Sequence, residues 1–174
     1  MAKAPVGQVE QLVSLIEEGY RRRAWHGPNL RGALRGVSPA LAAWRPGPSR
    51  HNIWELALHA AYWKYAVRRQ LTGEKRGGFA LAGSNWFQSP EHETQAAWRA
   101  DLRLLASAHR RLLDVAGTLK DRDLARVAGS GKTRFGVLLR GVESHDIYHA
   151  GQIQMLKRLA PKRFQTTTAA RTPR

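Results

Sequence analysis

An all-α fold, a four-helix bundle with long crossover connections, is what this sequence predicts, and three observations carry it. Apolar residues recur at spacings of three and four in four separate stretches, the period of one helical face. No stretch alternates convincingly with the period of a strand. The strong breakers, Gly27-Pro28, Pro46-Gly47-Pro48 and Gly77-Gly78, fall between the periodic stretches rather than inside them. Two of the links, 24–51 and 73–89, are long enough to cross an end of the bundle, which argues against a plain series of helical hairpins.

The first helix is expected over about Val6 to Arg23, with Val9, Leu12, Val13, Ile16 and Tyr20 facing inward. The passage AWHGPNL ends it and leaves His26 on a loop, a minor candidate for the rim of a site. A short helical turn follows at Leu30 to Leu34. Ser38-Pro39 opens another, the hydroxyl capping and the proline taking the first helical position. The second long helix starts at Asn52, whose spacing to Glu55 is that of a capping box, and stops at Thr72-Gly73. Ile53, Leu56, His59, Ala60, Trp63 and Val67 make its inward face. On the same helix His51, Glu55 and His59 form a weaker competing set of ligands, since Glu55 is accounted for by capping.

The link from Gly73 to Ser89 carries Asn85-Trp86-Phe87, an apolar insert expected to fold back over the body, for packing in the first place and as a lid only in the second. Ser89-Pro90-Glu91 is expected to start the third helix, which runs to about Val115 with Trp98, Leu102, Leu105 and Leu112 inward and with His92 and His109 at the surface or its boundary. From Gly117 to Lys132 the chain is polar, with room for a short extended piece at Leu124 to Val127. The GSGKT within it lacks the P-loop's first glycine, because Arg126 stands five positions before Gly131, so nucleotide binding there is rejected. Thr133 is expected to cap the last helix, which reaches about Leu159 and is ~40 Å long. Past Pro161 little remains to bury, so residues 1–164 are expected to form a single domain and 165–174 a flexible basic tail.

The last helix holds the chemistry. His145 and His149 stand four apart, one turn up the same face, in a stripe of Leu138, Val142, His145, His149, Gln152, Leu156 and Leu159. Two inward imidazoles at that spacing are half of a metal site, and His59 is the natural third if the second and last helices are neighbours. Asp146, Glu143, Tyr148 and Gln152 are close enough in sequence to hold the rings' other nitrogens, although ordinary packing or solvent contact is the favoured role for Tyr148 and Gln152.

Composition narrows the function. The 174 residues are 43% hydrophobic and 24% charged, an ordinary globular balance. No apolar run is long enough for a membrane span, and the start, MAKAPVGQVE, has no secretory h-region, so a cytoplasmic protein without membrane contact is expected. With no cysteine, any metal is held by His, Asp, Glu or water. The net charge of +16 would attract a polyanion, but no recognition motif accompanies it and the basic residues are dispersed, so nucleic acid is a minor expectation.

The segments SRHNIWELALHAAYWKYAVRRQLTGE and GVESHDIYHAGQI, with the WHG loop and the helix order, resemble the DinB superfamily over nearly the whole chain. The resemblance implies a four-helix bundle with an unusual connection order and three histidines binding a divalent metal, carried here onto His59, His145 and His149. Zinc or nickel is the expected ion. Characterised relatives include metal-dependent transferases and isomerases using a low-molecular-weight thiol such as bacillithiol or mycothiol, and homodimers are common among them. A thiol enzyme with an external small-molecule nucleophile is therefore the leading expectation. A non-catalytic metal-binding stress-response protein and a charge-driven nucleic-acid binder are the alternatives.

Overall fold

A computed structural model describes residues 6–129 and 132–164 of the chain. Among these residues there are six α-helices and no strand: α1 (Gln8–Tyr20), α2 (Leu30–Ala33), α3 (Pro39–Ala43), α4 (Ile53–Thr72), α5 (Gln95–Ala116) and α6 (Phe135–Leu159). The tail from 165 onward and Gly131 of the GSGKT stretch lie outside the described residues. Helix α4 packs against both α5 and α6, and α1 against both α6 and α5, so the four long helices close a ring in the order α1, α6, α4, α5. No helix is long and apolar enough to cross a membrane.

Local signals set most boundaries. Ser38 Oγ accepts from the Leu41 amide at 3.2 Å to start α3, and Asn52 Oδ1 accepts from the Glu55 amide at 2.9 Å to start α4. Helix α4 ends at Gly73, whose φ of +76° favours a residue without a Cβ. The first helix is shorter than its periodicity predicts, because the chain leaves helical geometry at Arg21. Its amino end is capped from far away: the Asp121 carboxylate accepts from the amides of Gln8 at 3.0 Å and Val9 at 2.9 Å. Gly19 allows α1 to close on α6, since a Cβ there would stand 3.3 Å from the Glu143 carbonyl.

Three expectations need correction. Helix α5 begins at Gln95 with Thr94 as its cap, and Ser89 instead accepts from Asn52 Nδ2 at 3.1 Å. Arg134, not Thr133, is the residue before α6. A 3-10 helix spans Asp121–Ala125 where an extended piece is expected, with one isolated antiparallel bridge joining Val127 to Arg134. Lys162–Phe164 also forms a short 3-10 helix, and Phe164 packs against the core.

The interior is two apolar clusters with a polar layer between them. One contains Trp54, Leu58, Trp98, Leu105 and Ile153; the other contains Ile16, Val67, Leu112, Phe135 and Leu139. Each large aliphatic side chain so buried is worth about 1.5–3 kcal/mol over leaving it in water. On every long helix the residues between the clusters are polar: Glu17 on α1, Lys64 on α4, His109 on α5 and Asp146 on α6, all buried. Lys64 and Asp146, both 0% exposed, pair through Nζ and Oδ2. His109 is stacked on Tyr20 with centroids 3.9 Å apart and lies 3.4 Å from Glu17 Oε1. The expectation that His109 is a surface or boundary residue is therefore overturned: it is 1% exposed.

Candidate metal centre

The three predicted histidines converge at the edge of this polar layer. Helix α4 brings His59 beside α6, where His145 and His149 stand one turn apart. His145 Nε2 lies 3.1 Å from His59 Nε2 and 3.0 Å from His149 Nε2. All three donor atoms fall within 4.8 Å of one another. Nitrogens each about 2.1 Å from one ion can stand at most about 4.2 Å apart, so the two closest separations are within reach of a shared ion.

The other ring nitrogens decide what the cluster can do. His59 Nδ1 donates to the Asn85 carbonyl at 2.7 Å, and His149 Nδ1 donates to Gln152 Oε1 at 2.6 Å. Each bond fixes the tautomer whose Nε2 lone pair faces the cluster. Gln152 is held in turn by donating to the Tyr148 hydroxyl at 3.2 Å. His145 Nδ1 is buried with no hydrogen-bond partner among the described residues. Burial lowers the pKa of His59 to about 4 and that of His145 to about 3, with the neighbouring imidazoles adding to the effect. Burial lowers that of His149 too, against the opposing bond to Gln152. At neutral pH the three rings are uncharged, the state in which imidazole binds a metal.

The long link supplies a lid that periodicity does not show. Asn85 adopts φ of +66°, a left-handed turn that aims its carbonyl at His59 and its side-chain oxygen at Trp63 Nε1, 2.9 Å away. Trp86 then lies flat on His59, centroids 3.8 Å apart and planes 10° apart, and Phe87 is buried. The insert thus both packs the core and covers the cluster. Beside His145, an almost wholly apolar cavity of about 310 Å³ is lined by Trp63, Val67, Val137, Leu138, Gly141 and Val142.

Other candidates fall away. His26 lines a separate cavity against Ile147 and Gly151 of α6. His51 Nδ1 meets Glu55 Oε2 at 2.9 Å, but Arg45 also grips that carboxylate, and the pair does not join His59 in a ligand set. Glu55 therefore does more than complete a cap: its carboxylate is bound to Arg45 and His51, while Asn52 caps the helix alone. Asp146 turns away from the cluster to Lys64, and Glu143 accepts from Ser144 Oγ at 3.1 Å. His92 is exposed. Sequence reasoning missed Asn85 and Lys64. Only for Lys64 was a signal present, a charge sitting on the inward stripe of its helix.

Residues 22–153 match the sequence model of the DinB superfamily, and the chain belongs to that superfamily. No curated protein and no solved structure gives a significant match.

Proposed function

From a DinB-superfamily chain with three neutral, converging imidazoles, we propose a metal-dependent enzyme of the thiol S-transferase or isomerase type, with zinc or nickel on His59, His145 and His149. The observation that carries the reading is the pair of fixed tautomers: Asn85 and Gln152 hold two rings by Nδ1 and so direct their Nε2 lone pairs to one point. Three imidazoles leave further coordination positions open, as a catalytic site requires. The reading includes the superfamily's bundle with crossovers at 24–51 and 73–89.

A divalent ion held there supplies Lewis acidity, lowering the pKa of a thiol that binds it so that the sulfur is nucleophilic near neutral pH. The chain's own groups do the rest. Without cysteine the protein cannot provide the sulfur, so the thiol is a co-substrate. The apolar cavity flanked by Trp63, Val67 and Val142 borders His145 and suits the hydrocarbon body of an electrophile. Trp86, lying over His59, keeps water from that side of the cluster. Gln152 and Tyr148 keep the His149 ring from rotating.

The test starts with elemental analysis of protein purified without an affinity tag, followed by loading with cobalt(II) as a visible reporter. Low-molecular-weight thiols are expected to perturb the cobalt absorption bands, and His149→Ala to abolish both loading and perturbation. A fully loaded protein whose bands no thiol disturbs would overturn the thiol reading and leave a non-catalytic metal-binding protein.

A further inference from the structure

A cleft of about 1160 Å³ runs between α5 and the segment joining α1 to α2. On its α5 wall stand Arg99, Arg103 and Arg110. Facing them are Arg21 and Arg23 from the end of α1, and Arg31 and Arg35 from α2 and the turn after it. All seven are exposed, and no aspartate or glutamate is among the lining residues. Among the described residues Arg21 alone of the seven has a carboxylate partner, Glu17 at 2.7 Å. Three arginines outside the cleft do have a carboxylate partner, Arg45 with Glu55, Arg68 with Glu74 and Arg126 with Asp123.

Like charges gathered around one concavity repel, and the concave walls focus their field outward. An anion bound there relieves that repulsion. The guanidinium fork matches phosphate oxygens two at a time. Leu102, partly exposed on the α5 wall, offers apolar contact to an organic body. Along the helix axis Arg99 and Arg110 are separated by ~16 Å at 1.5 Å per residue, the length of a small phosphorylated molecule rather than of a polymer. The aromatic rings of the lining are committed: Trp98 is 1% exposed and donates to the Val37 carbonyl at 2.9 Å, while Tyr20 is stacked on His109. They cannot serve as platforms for successive bases, which disfavours a single nucleic-acid strand. His109 closes the floor with a buried Nδ1 that has no partner. None of the three candidate ligand histidines lines the cleft.

We propose that this cleft is a binding site for a small organic diphosphate, its phosphates held by the α5 and α2 arginines. The site is separate from the candidate metal centre and does not depend on its occupancy.

The full chain is titrated calorimetrically with ADP at about 150 mM salt, where diffuse surface attraction is largely screened. One-to-one saturable binding is expected, weakened at least tenfold in Arg99→Glu/Arg103→Glu and unchanged in Arg122→Glu/Arg140→Glu, which alters net charge equally elsewhere. Circular dichroism checks folding. Arg31→Gln/Arg35→Gln, on the facing wall, is expected to give the same loss and serves if the first variant does not fold. No binding at that salt, an equal loss in the control variant, or a short oligothymidylate binding more tightly than ADP would each overturn the proposal.

Discussion

Replacing Asp146 with alanine leaves the Lys64 ammonium inside the protein with no counter-charge, since both side chains are 0% exposed and, among the described residues, each is the other's only ionic partner. Breaking a buried pair from one side costs about 3–5 kcal/mol. For a chain of this length each kcal/mol moves the melting temperature by about 2–4 °C, so a fall of roughly 6–20 °C is expected. The Tyr20 ring, 5.0 Å from Lys64 Nζ, recovers only part of the loss, about 0.5–2 kcal/mol. Lys64→Met leaves a carboxylate whose pKa burial already raises and which then takes up a proton more readily, so it is expected to cost less than Asp146→Ala. The double variant removes both charges and is expected to be more stable than the sum of the singles predicts, with a coupling of about 2 kcal/mol or more. Urea denaturation of all four proteins, followed by circular dichroism, closes the cycle. If Asp146→Ala costs less than about 1 kcal/mol, or the two changes simply add, the pair does not hold the layer as argued.

Other outcomes follow from the same geometry. Gln152→Leu frees the His149 ring and is expected to weaken metal binding about 10- to 100-fold in a chelator competition, leaving the melting temperature of the metal-free protein nearly unchanged. Trp86→Ala removes the ring stacked on His59 and is expected to destabilise the protein by about 0.5–1.5 kcal/mol from lost ring contact, measured by urea denaturation, with additional loss from its buried area. Burial lowers the His109 pKa to about 3, with the Lys64 charge contributing. The unfolded chain therefore binds the proton first as pH falls below 6.5, and stability declines by up to about 1.4 kcal/mol per unit from there toward 3. His109→Phe is expected to make the stability profile shallower by that share between pH 6.5 and 4.5, the remaining slope there belonging to His59, His145 and His149; an unchanged slope rules out the buried neutral imidazole.

The helices were legible because burial imposes a period, and the ligand histidines because i and i+4 share a face. Even so, the inward stripe of α6 lies slightly to one side of the expected one: Leu139, Val142, Asp146, His149 and Ile153 are buried, whereas Leu159 is 60% exposed and His145 sits at the boundary. That small rotation is what puts Asp146 in the core and His145 next to the apolar cavity. His109 follows Leu102 and Leu105 and precedes Leu112 on the inward face, so its burial was written in the same periodicity. Its polarity suggested otherwise, and Tyr20 and Glu17 overrode that by supplying a stacking partner and an acceptor. The Asn85 contact could not be read at all. A carbonyl's direction depends on one left-handed residue in a non-periodic link, and nothing in the spacing of side chains encodes it.

The indole of Trp86 is held between two imidazoles, His59 at 3.8 Å and His51 at 3.6 Å, with all three planes nearly parallel. Its emission is therefore tied to the electronic state of whatever binds His59. An ion with unpaired d electrons drains the excited indole, whereas a filled-shell ion leaves it bright. If the proposed centre holds nickel rather than zinc, the Trp86 share of the emission of the six tryptophans is expected to be quenched.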